Sequence, residues 1–259
     1  MIFTQLIKAN LSTNFLGREI EYYQRIGSTN EEAFELIEEG CDEGTIIVTD
    51  HQTSGKGRQG KSWFSAPGKG LAFSIILTPQ TPLSQSGLLS LAAGISVAQA
   101  IEQFGLELTL KWPNDILLNG KKCGGILVES KVQSDVLAYA VIGIGINGNE
   151  SSSDFGNEIQ EMTTSIAIEK GDPVQRELVL AWTLNSFEGW YKNLKNGNLN
   201  KIVETWLNYC GHLDKPVTIH QHGEEKTGNF IGVNESGNGL IDFAGQILSI
   251  SAEEIHLSN

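Results

Sequence analysis

The chain has 259 residues, enough for one sizeable core and a small second unit, with 18 basic against 31 acidic residues and a net charge of −13. That balance argues against nonspecific partnership with nucleic acid or an anionic membrane. Cys41, Cys123 and Cys210 form no C-x-x-C pair, and the amino terminus lacks the apolar core of a signal peptide, so a cytoplasmic location is expected.

In chain order, residues 20–26 read as a first strand. Ser28-Thr29-Asn30-Glu31-Glu32 then opens a helix that runs to Glu39 and stops at Gly40. Ser28 with Glu31, or Thr29 with Glu32, has the spacing of a capping box. The same hydroxyls and amides at a helix start could instead hold the polar edge of a ligand. Residues 45–49 form the next strand.

Residues 51–101 contain no Asp or Glu, although at random roughly six acids would fall in a window that long. Lys56, Arg58, Lys61 and Lys69 all lie there, among Gly55, Gly57 and Gly60. Glycine amides beside cations suit an anion, so this reads as a basic flap over a phosphate or carboxylate. Gly55 to Gly60 also spells G-x-G-x-x-G, but a dinucleotide fold needs a helix at the third glycine and an acid about 20 residues on. Neither is present. The expectation of no P-loop at Gly60-Lys61-Ser62 rests on a missing first glycine five residues before Gly60 and on the missing helix after it.

Residues 71–77 are a strand, ended by Pro79 and Pro82. The apolar window that follows is interrupted by Ser84, Gln85, Ser86, Ser90, Gln99 and Glu102, and so predicts a buried helix over residues 84–104, not a membrane span. Leu106, Leu108 and Leu110 alternate with polar residues, and Pro113 in Trp112-Pro113-Asn114-Asp115 breaks that ladder. Asn119-Gly120 is a strong hairpin signal. A two-residue hairpin there sets Leu117 opposite Lys122 and places Asp115 diagonally from Lys122, about 7 to 8 Å away between α carbons. Further strands follow over residues 124–129 and 136–147. In the second, Ile142, Ile144 and Ile146 take one face, and Gly143 and Gly145 leave the other as bare backbone on which a flat ligand could lie.

Residues 150–160 read as a loop. Asp172-Pro173 predicts a helix start by cap and first-turn proline, running toward Leu194, with a second helix over residues 199–209. Beyond Pro216 come short alternating runs separated by Gly223, by residues 235–239 and by Ala244-Gly245. They predict a small β barrel of about 45 residues that docks on the main unit. His220 and His222 share a strand face, without a third ligand in view, and read as exposed strand residues.

STN at 28–30, GKGRQGKSW at 55–63, KWPND at 111–115, K-x-GGILVE at 122–129 and GIGIN at 143–147 together resemble the biotin protein ligase family, over nearly the whole chain. The resemblance implies an α+β fold. A mixed, largely antiparallel sheet flanked by helices would form a catalytic biotin- and ATP-binding domain over residues 1–211, with an SH3-like β barrel over 212–259. It further implies that biotin is activated by ATP, accompanied by Mg2+, as biotinyl-5'-AMP and passed to a lysine of a biotin carboxyl carrier protein. Ser28, Thr29, Asn30, Gln52, Gly55 and Lys56 would hold biotin, with Gly124, Gly125 and Gly143 lining its slot. Arg58 and Lys122 would meet both its carboxylate and the α-phosphate. Lys111 would assist at the phosphates, Asp115 would orient nucleotide or incoming amine, and Gln59, Gly60 and Asn114 would contact ATP. Trp63 would cover the adenine face and Asn147 would read its edge. Arg58, Lys111, Lys122 and Asp115 are the implied catalytic set, with no protein-bound metal.

Lys56 stands where the family usually shows arginine, and a lysine cannot make a bidentate fork. Some members carry a DNA-binding domain before the STN motif. With STN at residue 28 there is no room for one, so no nucleic acid, no membrane and no repressor role is expected, and the protein should be a monomer or homodimer. A lipoate or octanoyl ligase or transferase on the same fold is the nearest alternative, and a silent binding module a more distant one. KWPND with the GKGRQG flap favours biotin.

Overall fold

The computed structural model describes residues 1–221, 224–251 and 255–257. Seven strands make the main sheet: β1 (Ile20–Tyr23), β2 (Ile46–Thr49), β3 (Leu71–Leu77), β4 (Leu108–Lys111), β5 (Asp115–Leu118), β6 (Lys121–Gln133) and β7 (Val136–Ile146). Their order is β1-β2-β3-β7-β6-β5-β4. Only β1 and β2 run parallel, so the sheet is mixed.

The period-2 alternation of side chains decides what each face carries. Ile46, Val48, Phe73, Ile75, Ile142 and Ile144 share one apolar core with the continuous apolar helix α3 (Ser86–Glu102), against which α5 (Arg176–Lys195) and α6 (Leu199–Tyr209) pack. On the opposite face Ile47, Ile76 and Val141 pack with Ala33 and Ile37 of α2 (Thr29–Glu39). Gly40 ends α2 at φ 91, a left-handed value that its lack of a β carbon permits. α2 covers part of this face, with its Asn30 over Gly143, and Trp63 of the basic segment lies over Gly145.

Five more strands, β8 (Lys215–Gln221), β9 (Glu224–Val233), β10 (Gly239–Phe243), β11 (Gln246–Ile250) and β12 (Ile255–Leu257), form the antiparallel SH3-like unit in the order β11-β10-β9-β8-β12. Its apolar residues join the same core as the main sheet. The buried indole of Trp112 donates Nε1–H to the Gly237 carbonyl at 3.0 Å and lies 6.3 Å from the Phe230 ring. The backbones of Gly87 and Gly237 approach so closely that a β carbon on either would fall 2.7 Å from the other segment. His212, fully buried, packs against Trp206 and Phe230. Burial, with Lys111 and Lys215 adding to it, pulls its imidazole down to about 4.

Three short elements, α1 (Thr4–Ala9), α4 (Ile166–Lys170) and β12, carry too few residues to show a period. The expected helix start at Asp172-Pro173 is corrected: α5 begins at Arg176. Asn149 holds Val174 at both its N–H and its carbonyl, 2.8 and 2.9 Å, and so fixes that residue before the helix. His222 lies outside the described residues, as does the side chain of His220. Among the described residues no helix is long and apolar enough to cross a membrane.

Candidate active site

A crevice opens on the glycine-bearing face of the main sheet. Its inner end is built by the start of α2. Ser28, Thr29 and Asn30, each 3% exposed, sit where a capping box was expected, yet the Ser28 side chain makes no cap bond. The cap reading is therefore corrected. Thr29 instead donates its N–H and its hydroxyl to Gln52 Oε1, at 2.9 and 3.1 Å, which leaves Gln52 Nε2 beside Gly55. Asn30 donates Nδ2 to Glu129 Oε2 at 2.7 Å. Its Oδ1 overlies Gly143 so closely that a β carbon there would be 2.3 Å away. A side chain at 143 would evict Asn30.

The basic segment is a small hairpin. Gly57 N–H donates to the Lys61 carbonyl at 2.7 Å, Trp63 N–H to the Gly55 carbonyl at 2.8 Å, and Lys56 bridges Ser62. Gly55 is buried against the Trp63 carbonyl and Gln52, so it shapes the hairpin from behind and does not line the crevice. Gly60, exposed at φ 75, makes the tip turn and also stays out. Lys56 and Gln59 line the rim, with Lys56 held 2.8 Å from Glu31. Gly55 lies five residues before Gly60, so the letters G-x-x-x-x-G-K-S are present after all. Glycine spacing does not exclude a P-loop. The structure does, because the hairpin leads into β3 and not into a helix.

Trp63 lies on the glycine strand itself. A β carbon on Gly145 would sit 2.4 Å from its indole, and one on Gly125 3.7 Å from it. Its Nε1 is buried and has no hydrogen-bond partner among the described residues. Arg58 Nη1 donates to Asn114 Oδ1 at 3.4 Å. Asn114 is in turn fixed to β6, giving Nδ2 to the Ile126 carbonyl at 2.8 Å and taking the Ile126 N–H on its own carbonyl at 3.0 Å.

The Asn119-Gly120 hairpin has the expected register, with Leu117 opposite Lys122, and Lys122 Nζ meets Asp115 Oδ1 at 2.5 Å. Lys111 ends β4 directly across from Asp115. A β-bulge at Cys123 then shifts the ladder, so that Asp115 opposes Gly125 and Ile116 opposes Gly124. Gly125 accordingly shares the crevice face with Lys122. Gly124 is turned against Ile116 and the Gly145 carbonyl, which corrects its expected place in the slot. Asn147 is a further correction. It is 3% exposed at the end of β7, donates Nδ2 to the Thr164 carbonyl at 2.9 Å, and does not line the crevice.

Ser28, Thr29, Asn30, Gln52, Lys56, Arg58, Gln59, Trp63, Lys111, Asn114, Asp115, Lys122, Gly125 and Gly143 are thus brought to one crevice. Sequence reasoning missed Gly145 as the seat of Trp63, although the Ile/Gly alternation marked its face. It also missed Ile255, which brings the second sheet to the crevice wall and lies in a strand too short to carry a signal. Among the described residues no group of three His, Cys, Asp or Glu could hold a metal. Asp115 is the one carboxylate among the described lining residues.

The arrangement offers fixed donors and acceptors at the inner end and Arg58, Lys111 and Lys122 around the mouth, while the glycine face expected to be bare backbone is covered by Asn30 over Gly143 and by the Trp63 indole over Gly145. Such a site can seat an uncharged ring and stabilise negative charge passing between a carboxylate and a phosphate. Fold and crevice together define a carboxylate-activating ligase unit. Residues 22–147 match the biotin/lipoate A/B protein ligase family. The chain is 34% identical to the bifunctional ligase/repressor BirA of Bacillus spizizenii over 252 residues, covering 97% of this chain and 78% of that protein. It is 30% identical to the biotin acetyl-CoA-carboxylase ligase of Paracoccus denitrificans, covering 82% and 90%. The biotin protein ligase of Aquifex aeolicus, solved with biotin and ATP, superposes with a TM-score of 0.78 at 29% identity, over 93% of this chain and all of that one. The chain belongs to the biotin/lipoate A/B protein ligase family.

Proposed function

We propose that this protein is a biotin–protein ligase that uses MgATP and a lysine of a carboxylase carrier protein. The observation that carries the reading is the convergence of Arg58, Lys111 and Lys122 on the crevice whose inner end holds Thr29, Asn30 and Gln52. The relatives and the solved neighbour named above support the choice of biotin and ATP.

In the first step a carboxylate oxygen of biotin attacks the α-phosphorus of ATP. The bond from that phosphorus to the bridging oxygen breaks, and pyrophosphate leaves with the electron pair. Arg58 and Lys122 are assigned to the charge that builds on the non-bridging oxygens, where preorganised donors act most strongly. In the second step the uncharged amine of the carrier lysine attacks the acyl carbon of the mixed anhydride. AMP leaves, the nitrogen loses a proton, and an amide remains. Asp115, anchoring Lys122 beside the mouth, is assigned to orienting that amine. The indole of Trp63 and the flap keep water from the anhydride. Mg2+ is assigned to the phosphates of ATP.

Cys123 takes no part. Complete burial, with Glu150 and Glu169 nearby, raises its thiol far above neutrality, and its Sγ lies 3.5 Å from the Asn147 carbonyl. The test is acid-dependent pyrophosphate release from ATP with biotin and with lipoate in turn, followed by the mass of a biotin carboxyl carrier domain after incubation. Release with biotin and a gain of one biotinyl group are expected. Release with lipoate alone would assign the other branch of the family.

A further inference from the structure

Ser74 lies on β3 with no exposed surface and does not line the crevice. Its Oγ sits 2.7 Å from Thr29 Oγ1 and 2.6 Å from Asn30 Oδ1. A hydroxyl has one proton, so it can donate to only one of these acceptors at a time. The other end of Asn30 is committed: Nδ2 is 2.7 Å from the Glu129 carboxylate, which only accepts when ionised. Glu129 therefore fixes which way the Asn30 amide faces, and Ser74 fixes what its oxygen meets. The same chain continues outward, because the Thr29 hydroxyl and N–H both give their protons to Gln52 Oε1 and so turn Gln52 Nε2 away from Thr29.

Resting on the biotin reading above, we infer that Ser74 and Glu129 are positioning residues that set the donor–acceptor polarity of the slot. Together they hold Asn30 Oδ1 as an acceptor, while Thr29, backed by Ser74, leaves Nε2 as the donor end of the Gln52 amide. When a ring N–H takes the Asn30 oxygen, the Ser74 proton moves to Thr29 and no buried polar atom loses its partner. A slot of this polarity selects a cyclic urea, with N–H beside C=O, and rejects a ring that presents a donor where the carbonyl should be. Rejection of this kind is strong because a mismatched ligand leaves buried polar groups unpaired.

The experiment compares biotin with 2-iminobiotin, whose guanidine group places a donor at the carbonyl position. Dissociation constants for both are measured by calorimetry on the wild type, Ser74→Ala and Glu129→Ala, together with kcat and KM for adenylate formation. The wild type should prefer biotin. In each variant the preference should shrink by roughly tenfold or more, as expected when one buried hydrogen-bonding partner is lost. Turnover at saturating biotin should stay within a few-fold. A general packing defect would weaken both ligands alike and leave the ratio where it was, which would overturn the inference. Glu129 is only half-buried, so Glu129→Ala decides the matter if Ser74→Ala does not fold. A wild type that binds biotin without making adenylate would defeat the ligase reading alone, since the ratio would still report on Ser74 and Glu129.

Discussion

Lys122 and Asp115 meet at 2.5 Å across the β5–β6 hairpin, just before the bulge that turns Gly125 and not Gly124 toward them. Their side chains are 42% and 20% exposed, and an ion pair so placed adds under about 1 kcal/mol to stability. Its consequence is positional: the ammonium is held at the mouth of the crevice before substrate arrives. Lys122→Ala and Arg58→Ala should each lower biotin-dependent pyrophosphate exchange by on the order of 10² to 10³. Melting temperatures should scarcely move. Asp115→Asn should cost less, and least of all in the Lys122→Ala background, since the two act as a unit. Near-normal exchange in folded Arg58→Ala would remove the assigned role.

Two glycines one turn of the pleat apart should fail differently when given a methyl group. Alanine at 143 would place its β carbon 2.3 Å from Asn30 Oδ1, and alanine at 145 would place it 2.4 Å from the Trp63 indole. Gly143→Ala should therefore raise KM for biotin by more than about tenfold, the effect of losing a buried hydrogen-bonding group, with less effect on ATP. Gly145→Ala should act chiefly on ATP through the displaced indole. Steady-state kinetics with each substrate varied in turn tells them apart, and identical patterns would show that the floor is not divided between the two ligands.

The Ile/Gly alternation, the Asn-Gly turn and the acid-free window each follow a local rule, which is why the crevice face, the Asp115–Lys122 pair and the flap were legible in the sequence. What was not legible depends on registers set from a distance. The bulge at Cys123 reassigned Gly124 to the interior, and nothing local marks that extra residue. Thr29 leaves the cap for Gln52, 23 positions away. Asn147 turns to Thr164, and Asn149 delays α5 by holding Val174. For Thr29 and for Val174 a tertiary hydrogen bond outweighs a local helix-start preference of about 1 kcal/mol.

Trp63 gives the site a built-in reporter. Its indole covers Gly145 with Nε1 buried and unpartnered among the described residues, an arrangement that costs energy until a ligand supplies an acceptor or the ring shifts. A flat ring can lie on Gly145 only if the indole gives way. Addition of biotin and MgATP should change the tryptophan emission, and Trp63→Phe should abolish most of that change while leaving the other four tryptophans to emit as before. An undiminished response in Trp63→Phe would place the moving tryptophan elsewhere.

Glu150 and His212 should give stability opposite dependences on pH over nearly the same range. Glu150 is 1% exposed, and its carboxyl oxygens meet only poorly aligned backbone amides and no well-formed hydrogen bond among the described residues. Desolvation pushes it up to about 7, only partly offset by backbone amides of its own residue, Ala66 and Gly148, with Asp154 adding to the rise. Because the folded state holds this proton more tightly than the unfolded chain, stability falls as pH rises from about 4.5 to about 7, by on the order of 3 kcal/mol at most. His212 is buried neutral at about 4, so the unfolded chain binds its proton more tightly and stability falls as pH drops from about 6.5 to about 4. The two slopes largely cancel in the wild type. Glu150→Gln keeps the shape and removes one slope, so the variant should gain on the wild type between pH 5 and pH 8, read as a rising difference in urea midpoint. A difference equal at both pH values would mean that Glu150 ionises like a surface carboxylate, and that the segment joining β7 to α4 already meets its charge.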